Sequence, residues 1–410
     1  MYDVNEIRKQ FPMLNGEVSM QNKPLVFLDN ASTTFKPQCV IDAVDNYYKK
    51  QNSNSHRGDY DLAYNMDQLV GQARQAVARF VNCDPEEVVF TSGATMALNM
   101  AAFSFAKEVI KEGDEIIIEE DGHASNVLPW FALAKEVGAV IKFAPLNEKG
   151  HITVENVRKT LTNKTKIVAL AAATNVLGYS IDVKAIAKII HEVGAYFIVD
   201  GAQSVPHLKT DFKDWDIDFL AFSAHKMCGP TGIGCLIGKK NLLAKCKPMF
   251  YGGGMNEMFY KDGSFTLLNP PSCLEAGTQN LAAIAGFKAA IEFIEGLGLE
   301  AIHEHDVALH SYAIEKLKNN DKVIIYNKEA DSGNIVFNIK DVFAQDEATL
   351  LNYHGIAVRS GNHCAKMLVN YIGLPYTCRA STYLYTSYED IDALVDAINN
   401  GGDILDVYFN

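Results

Sequence analysis

Ala195-Tyr196-Phe197-Ile198-Val199-Asp200 followed by Gly201-Ala202-Gln203, and Asp218-Phe219-Leu220-Ala221-Phe222-Ser223 followed by Ala224-His225-Lys226, are two apolar runs that each end on polar residues. Short apolar runs rich in β-branched and aromatic residues and closed by small or polar residues read as strands. Similar runs occur at Pro24–Asp29, Val88–Thr91, Glu115–Ile118, Ala139–Phe143, Thr165–Leu170 and Ile217–Phe222. Helical patterns lie between them. In Asp182–Val193, Ile186, Ile189, Ile190 and Val193 fall on one helical face, and Gly194 stops the helix. The alternation predicts an α/β fold, a doubly wound and mostly parallel sheet with helices on both faces. Such sheets bind ligands beyond the carboxyl ends of their strands. Asp200 and Lys226 stand at that edge.

After about Gly296 the texture changes. A helical stretch, Leu299–Leu317, leads to strands near Val323–Tyr326 and Asn334–Ile339. A last helix carries Ile391, Leu394, Val395 and Ile398 on one face. The expected division is a large domain over 24–293 and a smaller α+β domain over 294–410. Residues 1–23 form an arm packed on the smaller domain. The helix Leu281–Glu295 is expected to run on as a continuous helical link.

Of the 410 residues, 48% are hydrophobic and 21% charged, the balance of a folded globular chain. The net charge is −13, which argues against tracking a nucleic-acid backbone or an anionic membrane surface. No apolar run reaches the ~18 residues of a spanning helix. The opening Met1-Tyr2-Asp3-Val4-Asn5-Glu6 lacks the character of a secretory signal, so a cytoplasmic location is expected. Eight cysteines occur without a Cys-x-x-Cys pair, which points to free thiols, most of them buried and inert.

Taken singly, Asp200 reads as a helix cap and Lys226 as a solvated loop lysine. Together they fit pyridoxal 5'-phosphate (PLP). Its ring nitrogen needs a carboxylate to stay protonated, its aldehyde needs a lysine, and its phosphate needs hydroxyls and backbone N–H groups. Thr91-Ser92-Gly93-Ala94-Thr95 follows a strand and opens a helix expected over Ala94–Lys111, a setting whose N–H groups face an anion. A lysine between an apolar strand and a glycine-rich turn is also placed to have a lowered pKa.

The chain resembles the class V aminotransferase-like PLP enzymes and, within them, the cysteine desulfurases of the SufS type. The resemblance spans nearly the whole chain. It rests on Leu28-Asp29-Asn30-Ala31, Ser55-His56-Arg57-Gly58, Thr174-Asn175-Val176-Leu177-Gly178, Val199-Asp200-Gly201-Ala202-Gln203, Phe222-Ser223-Ala224-His225-Lys226, Glu275-Ala276-Gly277-Thr278 and Ala357-Val358-Arg359-Ser360-Gly361-Asn362-His363-Cys364-Ala365. It implies PLP fold type I, the aspartate-aminotransferase type, as a homodimer with sites at the subunit interface.

By matching motif, the resemblance makes Lys226 the PLP lysine and the base for the substrate's Cα proton. Asp200 would pair with the ring nitrogen and Gln203 with the ring hydroxyl. His123 would stack on the ring and assist proton transfer. Ala94, Thr95, Ser223 and His225 would hold the phosphate, with Thr278 arriving from the partner subunit. Asn175 and Arg379 would bind the substrate carboxylate, with Arg359, Asn30 and Ala31 beside them. Cys364 would be the nucleophile that takes sulfur from L-cysteine, leaving L-alanine and a persulfide. Arg359 and His363 are its neighbours, and Cys228 is its rival. An acceptor protein of the SUF type and iron–sulfur cluster assembly would follow. No metal is implied.

The sequence departs from the family pattern at Ser92, Ala94 and Met96 in the phosphate turn, at Tyr60, and at Asn362, where a second His is usual. Some related enzymes that hand sulfur to a zinc-bearing scaffold use a His upstream of the cysteine; the matching position here is Gln345. A selenocysteine lyase on the same scaffold is the nearest alternative, followed by transamination and a non-catalytic scaffold. His303-Glu304-His305 reads as a solvated helix face, since residues two apart on a helix face different ways. Gly252-Gly253-Gly254 lacks the strand-to-helix setting of a dinucleotide loop; the resemblance makes it a flexible segment near the site entrance.

Overall fold

The computed structural model describes residues 2–55 and 58–400. Its seven-stranded sheet runs Val88–Thr91, Gly234–Gly238, Phe219–Ser223, Tyr196–Asp200, Thr165–Ala171, Glu115–Glu119, Val140–Ala144. The pairings from Phe219–Ser223 through to Val140–Ala144 are all parallel. Gly234–Gly238 is antiparallel to both of its neighbours. That strand was not among the expected ones; its first residue, Gly234, closes the glycine-rich run that follows Lys226. Its glycine has a packing cause: a Cβ on Gly234 would lie 2.4 Å from the Phe222 carbonyl oxygen and 2.6 Å from Gly93 Cα. Only a bare backbone fits between strand and phosphate turn.

Successive residues of each strand feed opposite cores. Val168, Leu170, Phe197, Val199, Leu220 and Phe222 pack in one cluster with the helices Asp61–Val81 and Leu281–Leu297. Ile167, Ala169, Ile198, Phe219 and Ala221 pack in the other with Ala94–Met100 and Leu128–Val137. By the same alternation, Asp200 and Ser223 leave their strand ends on the face of the helix that starts at Ala94. That helix differs from the expected single run, because it widens into a π-helical stretch at Ala101–Ala106 and ends at Val109.

The C-terminal part builds a four-stranded sheet in the order Val323–Ile325, Asn334–Ile339, Thr377–Ser381, Arg359–Gly361. Two expectations are corrected here. The run Pro24–Asp29 is not a strand of the large sheet. Val26–Phe27 pairs in parallel with Ile356–Ala357, and Asp29 bridges to Ser381. An apolar run announces a strand but not its sheet. The helical link is also not continuous: Leu281–Leu297 stops at Gly298 (φ +87°), and Leu299–Leu317 starts afresh. The N-terminal arm touches both units. Arg8 binds Asp390 at 2.5 Å, and Phe11 packs on Phe293 and Tyr385.

Candidate active site

The strand ends, the phosphate turn and the segments after Leu28 and Ile356 enclose a cavity of about 170 Å³. Asp200 and Lys226 both line it, with Ala94, Thr95, His123, Asn175, Gln203, Ser223, His225, Arg359 and Ala31. The structure thus brings together most of the residues singled out in the sequence.

Asp200 is 5% exposed, and its Oδ1 accepts from Ala202 N–H at 2.9 Å. Burial raises its pKa, while the Ala202 N–H and Lys226 oppose the rise. Gln203 Nε2 donates to the Ala31 carbonyl at 2.9 Å. Lys226 ends the short turn Ala224–Lys226 after its strand. Burial pushes its amine down to about 8; Asp200 opposes this, and Arg379 and Arg359 add to it. The amine therefore exchanges its proton near physiological pH, as an amine that must act as nucleophile and base requires.

His123 Nδ1 accepts from Ser125 N–H at 3.1 Å, which leaves the ring proton on Nε2. Burial, then Lys226, Arg359 and Arg379, push its pKa down to about 4, so the ring is neutral. His225 is likewise held at about 4 by burial, Lys226 and Lys36.

The turn opposite these residues suits a phosphate. Ser223 Oγ accepts from Ala94 N–H at 2.7 Å, and Thr95 Oγ1 meets Ser125 Oγ at 2.8 Å. Gly93 has φ +146°, and a Cβ there would sit 3.1 Å from Ser223 Oγ. The approach is open only to glycine. A buried carboxylate, an amine poised near neutrality and a hydroxyl-lined turn at one cavity match the demands of PLP.

Cys364 is carried by the other unit. His363 (φ +52°) and Cys364 (φ +62°) both take left-handed backbone, a conformation held by its surroundings. The loop is tied across the cavity: Ala124 N–H donates to Cys364 O at 2.8 Å and Asn175 Nδ2 to His363 O at 2.8 Å. Asn362 Oδ1 accepts from Cys364 N–H at 3.1 Å. Arg359 Nη2 donates to Cys364 Sγ at 3.2 Å. Cys228 is wholly buried, and burial pushes its thiol up to about 12. Cys83, Cys235, Cys273 and Cys378 are buried too, as expected of most of the cysteines, whereas Cys39 lies exposed.

Several residues sit differently from the sequence reading. Arg379 is mid-strand and wholly buried, and Arg359, not Arg379, lines the cavity. Arg379 Nη1 donates to Asn175 O at 2.6 Å, and Nη2 to Asp29 Oδ1 at 3.1 Å and Ser32 Oγ at 3.0 Å; Nε has no partner. Asn30 is buried as a strut, with Nδ2 on Ser381 O at 2.8 Å and Oδ1 on the Tyr385 hydroxyl. Thr278 lines a separate cavity of about 290 Å³ with Asn54, Ser55 and Glu275. Tyr60 is exposed, and His56 and Arg57 lie outside the described residues. Glu119, Asp121 and Ser32 line the main cavity although the sequence reading did not single them out. The strand-end rule that flagged Asp200 also applies to Glu119 and Asp121.

The aminotransferase class-V family model matches residues 26–394. The chain belongs to this family. It is 44% identical to a probable cysteine desulfurase of Halalkalibacterium halodurans, over 97% of each chain. It is 43% identical to a probable cysteine desulfurase of Staphylococcus epidermidis, over 97% of this chain and 96% of the relative. Among solved structures, the cysteine desulfurase CsdA of Escherichia coli in its S-sulfonic acid form superposes with a TM-score of 0.91. The two share 34% identity over 98% of each chain. The cysteine desulfurase of Thermococcus onnurineus in its apo form also scores 0.91, at 33% identity over 96% of each chain.

Proposed function

We propose that this member of the family is a PLP-dependent L-cysteine desulfurase that delivers sulfur to an acceptor protein for iron–sulfur cluster assembly. The observation that carries the reading is the placement of Cys364. Its thiol contacts Arg359, a wall of the cavity that also holds Lys226 and Asp200, while Cys228 is sealed in the core.

Lys226, Asp200, Gln203, His123, Thr95, Ser223 and His225 are the residues that hold PLP. When bound, PLP supplies a carbonyl for the substrate's amino group and an electron sink for its Cα. Lys226 Nζ, with its pKa at about 8, takes the Cα proton and later returns one. Asp200, its carboxylate held in place by the Ala202 N–H, would pair with the ring nitrogen of PLP. Arg359, in the cavity wall, presents the guanidinium donors that a carboxylate needs, and buried Arg379 stands behind it, joined to it through Ser32 Oγ. Cys364 Sγ attacks the substrate sulfur: the Sγ–S bond forms, the substrate Cβ–S bond breaks, and the bonding pair stays with the three-carbon fragment. Protonation turns that fragment into L-alanine and leaves the persulfide on Cys364. Arg359 Nη2 donates to Cys364 Sγ and holds it in place for this attack.

We further place the chain in the cytoplasm as a homodimer. No described helix is long and apolar enough to cross a membrane. The hairpin Asn256–Phe259/Phe265–Leu267 exposes Met258, Phe259 and Phe265, with Phe259 74% exposed. Apolar surface of this kind commonly marks an interface. Sedimentation at micromolar concentration checks this; a monomer under those conditions contradicts it.

The enzymatic reading is tested with L-cysteine, PLP-loaded protein and a thiol reductant. L-alanine and sulfide should appear in equal amounts. Pyruvate or another keto acid in place of alanine would overturn the reading, as would turnover confined to L-selenocysteine.

A further inference from the structure

Ser32 stands between the two arginines. A hydroxyl has one donor and two acceptor positions, and here all three are filled. Ser32 Oγ donates to Asp29 Oδ1 at 2.7 Å and accepts from Arg379 Nη2 at 3.0 Å and Arg359 Nη1 at 3.2 Å. The Asp29 carboxylate has only acceptors, so it fixes the hydroxyl hydrogen and turns both lone pairs towards the guanidiniums. Asp29 and Ser32 are also joined through the backbone, with Ser32 N–H donating to Asp29 O at 3.1 Å. Arg359 uses its remaining terminal nitrogen on Cys364 Sγ. A chain of contacts thus runs from buried Arg379 through one oxygen to Arg359 and on to the thiol.

Arg379 Nε is buried without a partner. An unpaired buried cationic donor is costly and is completed by an anion that reaches it. A carboxylate bound in the cavity at Arg359 would compete with Ser32 Oγ for Arg359 Nη1. A shift of Arg359 would then reach Arg379 through the shared hydroxyl, and Cys364 Sγ through Arg359 Nη2.

We propose that Ser32 is a positioning residue that couples capture of the substrate carboxylate to the placement of Cys364 Sγ. The inference rests on the desulfurase reading above. It adds that one hydroxyl in the cavity wall, bonded to both arginines, sets both substrate affinity and the readiness of the thiol.

The test uses the PLP-loaded enzyme and the variants Ser32→Ala and Ser32→Thr. Two quantities are measured on each: KM and kcat for L-cysteine, and the alkylation rate of Cys364 by iodoacetamide at fixed pH without substrate. Loss of one hydrogen bond to a charged group corresponds to roughly ten-fold or more. Ser32→Ala should raise KM and slow alkylation, each by about that factor, with cofactor absorbance unchanged. Ser32→Thr keeps the hydroxyl and should restore both. Movement of only one quantity, or of neither, overturns the coupling. So does a failure of the Thr variant to rescue while its cofactor absorbance remains normal. If the wild-type protein makes no alanine from cysteine, the desulfurase reading itself has failed, and the alkylation rates show separately whether Ser32 places the thiol.

Discussion

Lys226 lines the cavity and Cys364 meets its wall at Arg359, on supports of different kinds. Lys226 follows a strand whose residues Phe219 to Ser223 are all buried, in the middle of a seven-stranded sheet. Cys364 sits on a loop of the smaller unit, in left-handed backbone, held by hydrogen bonds from Ala124, Asn175 and Arg359. The difference suits the tasks proposed for them. A base that moves a proton at a fixed carbon needs an unmoving mount. A thiol that takes sulfur inside and gives it away outside needs a mount that can be released, and hydrogen bonds release more cheaply than a sheet core.

The largest expected effect is on the sheet side. Lys226→Ala should lower alanine formation by about 10³-fold or more, as loss of an obligatory catalytic group does elsewhere. Borohydride reduction should then fix no PLP to the chain, read by mass spectrometry of the peptides. Residual activity within ten-fold of wild type, or an adduct on another lysine, breaks the distinction between the two mounts.

A smaller effect concerns charge. Asp121 is buried, and both of its carboxyl oxygens lack a partner, as does Glu119 Oε1. Burial raises the pKa of both groups; the charge of Asp121 adds to the rise at Glu119, and that of Glu120 to the rise at Asp121. In the folded chain Asp121 therefore keeps a proton at pH values where the unfolded chain has lost it. The folded state binds more protons in that window, so stability falls as pH rises from the ordinary carboxylate range towards neutrality. Asp121→Asn removes this term. In cofactor-free protein, the stability lost between pH 5 and pH 8 should shrink by about 1–3 kcal/mol, read from urea midpoints. Equal losses in variant and wild type would show that the wall carries no such burden.

Much of the sheet side was legible in the sequence, because apolar runs ending in Asp200 and Ser223 obey a rule about parallel strands. Gly234–Gly238 was missed because its glycines imitate a turn while serving close packing. Val26–Phe27 was given to the wrong sheet, since its partner, Ile356–Ala357, lies more than three hundred residues away. The loop side was legible only through family resemblance. No periodicity marks Cys364, and nothing local predicts that Ser32 joins Arg359 to Arg379. Arg379 shows the limit most clearly: its strand was visible, but complete burial against Asn175 and Asp29 depends on residues remote in sequence.

The most direct test of the account is the site of sulfur transfer. Wild-type protein is given L-cysteine without acceptor or reductant, alkylated and mapped by mass spectrometry. The account predicts one extra sulfur on the peptide holding Cys364, removable by reductant. Cys364→Ala should retain PLP yet form alanine several orders of magnitude more slowly. Extra sulfur on the Cys228 peptide, or near-wild-type alanine formation by Cys364→Ala, would contradict it.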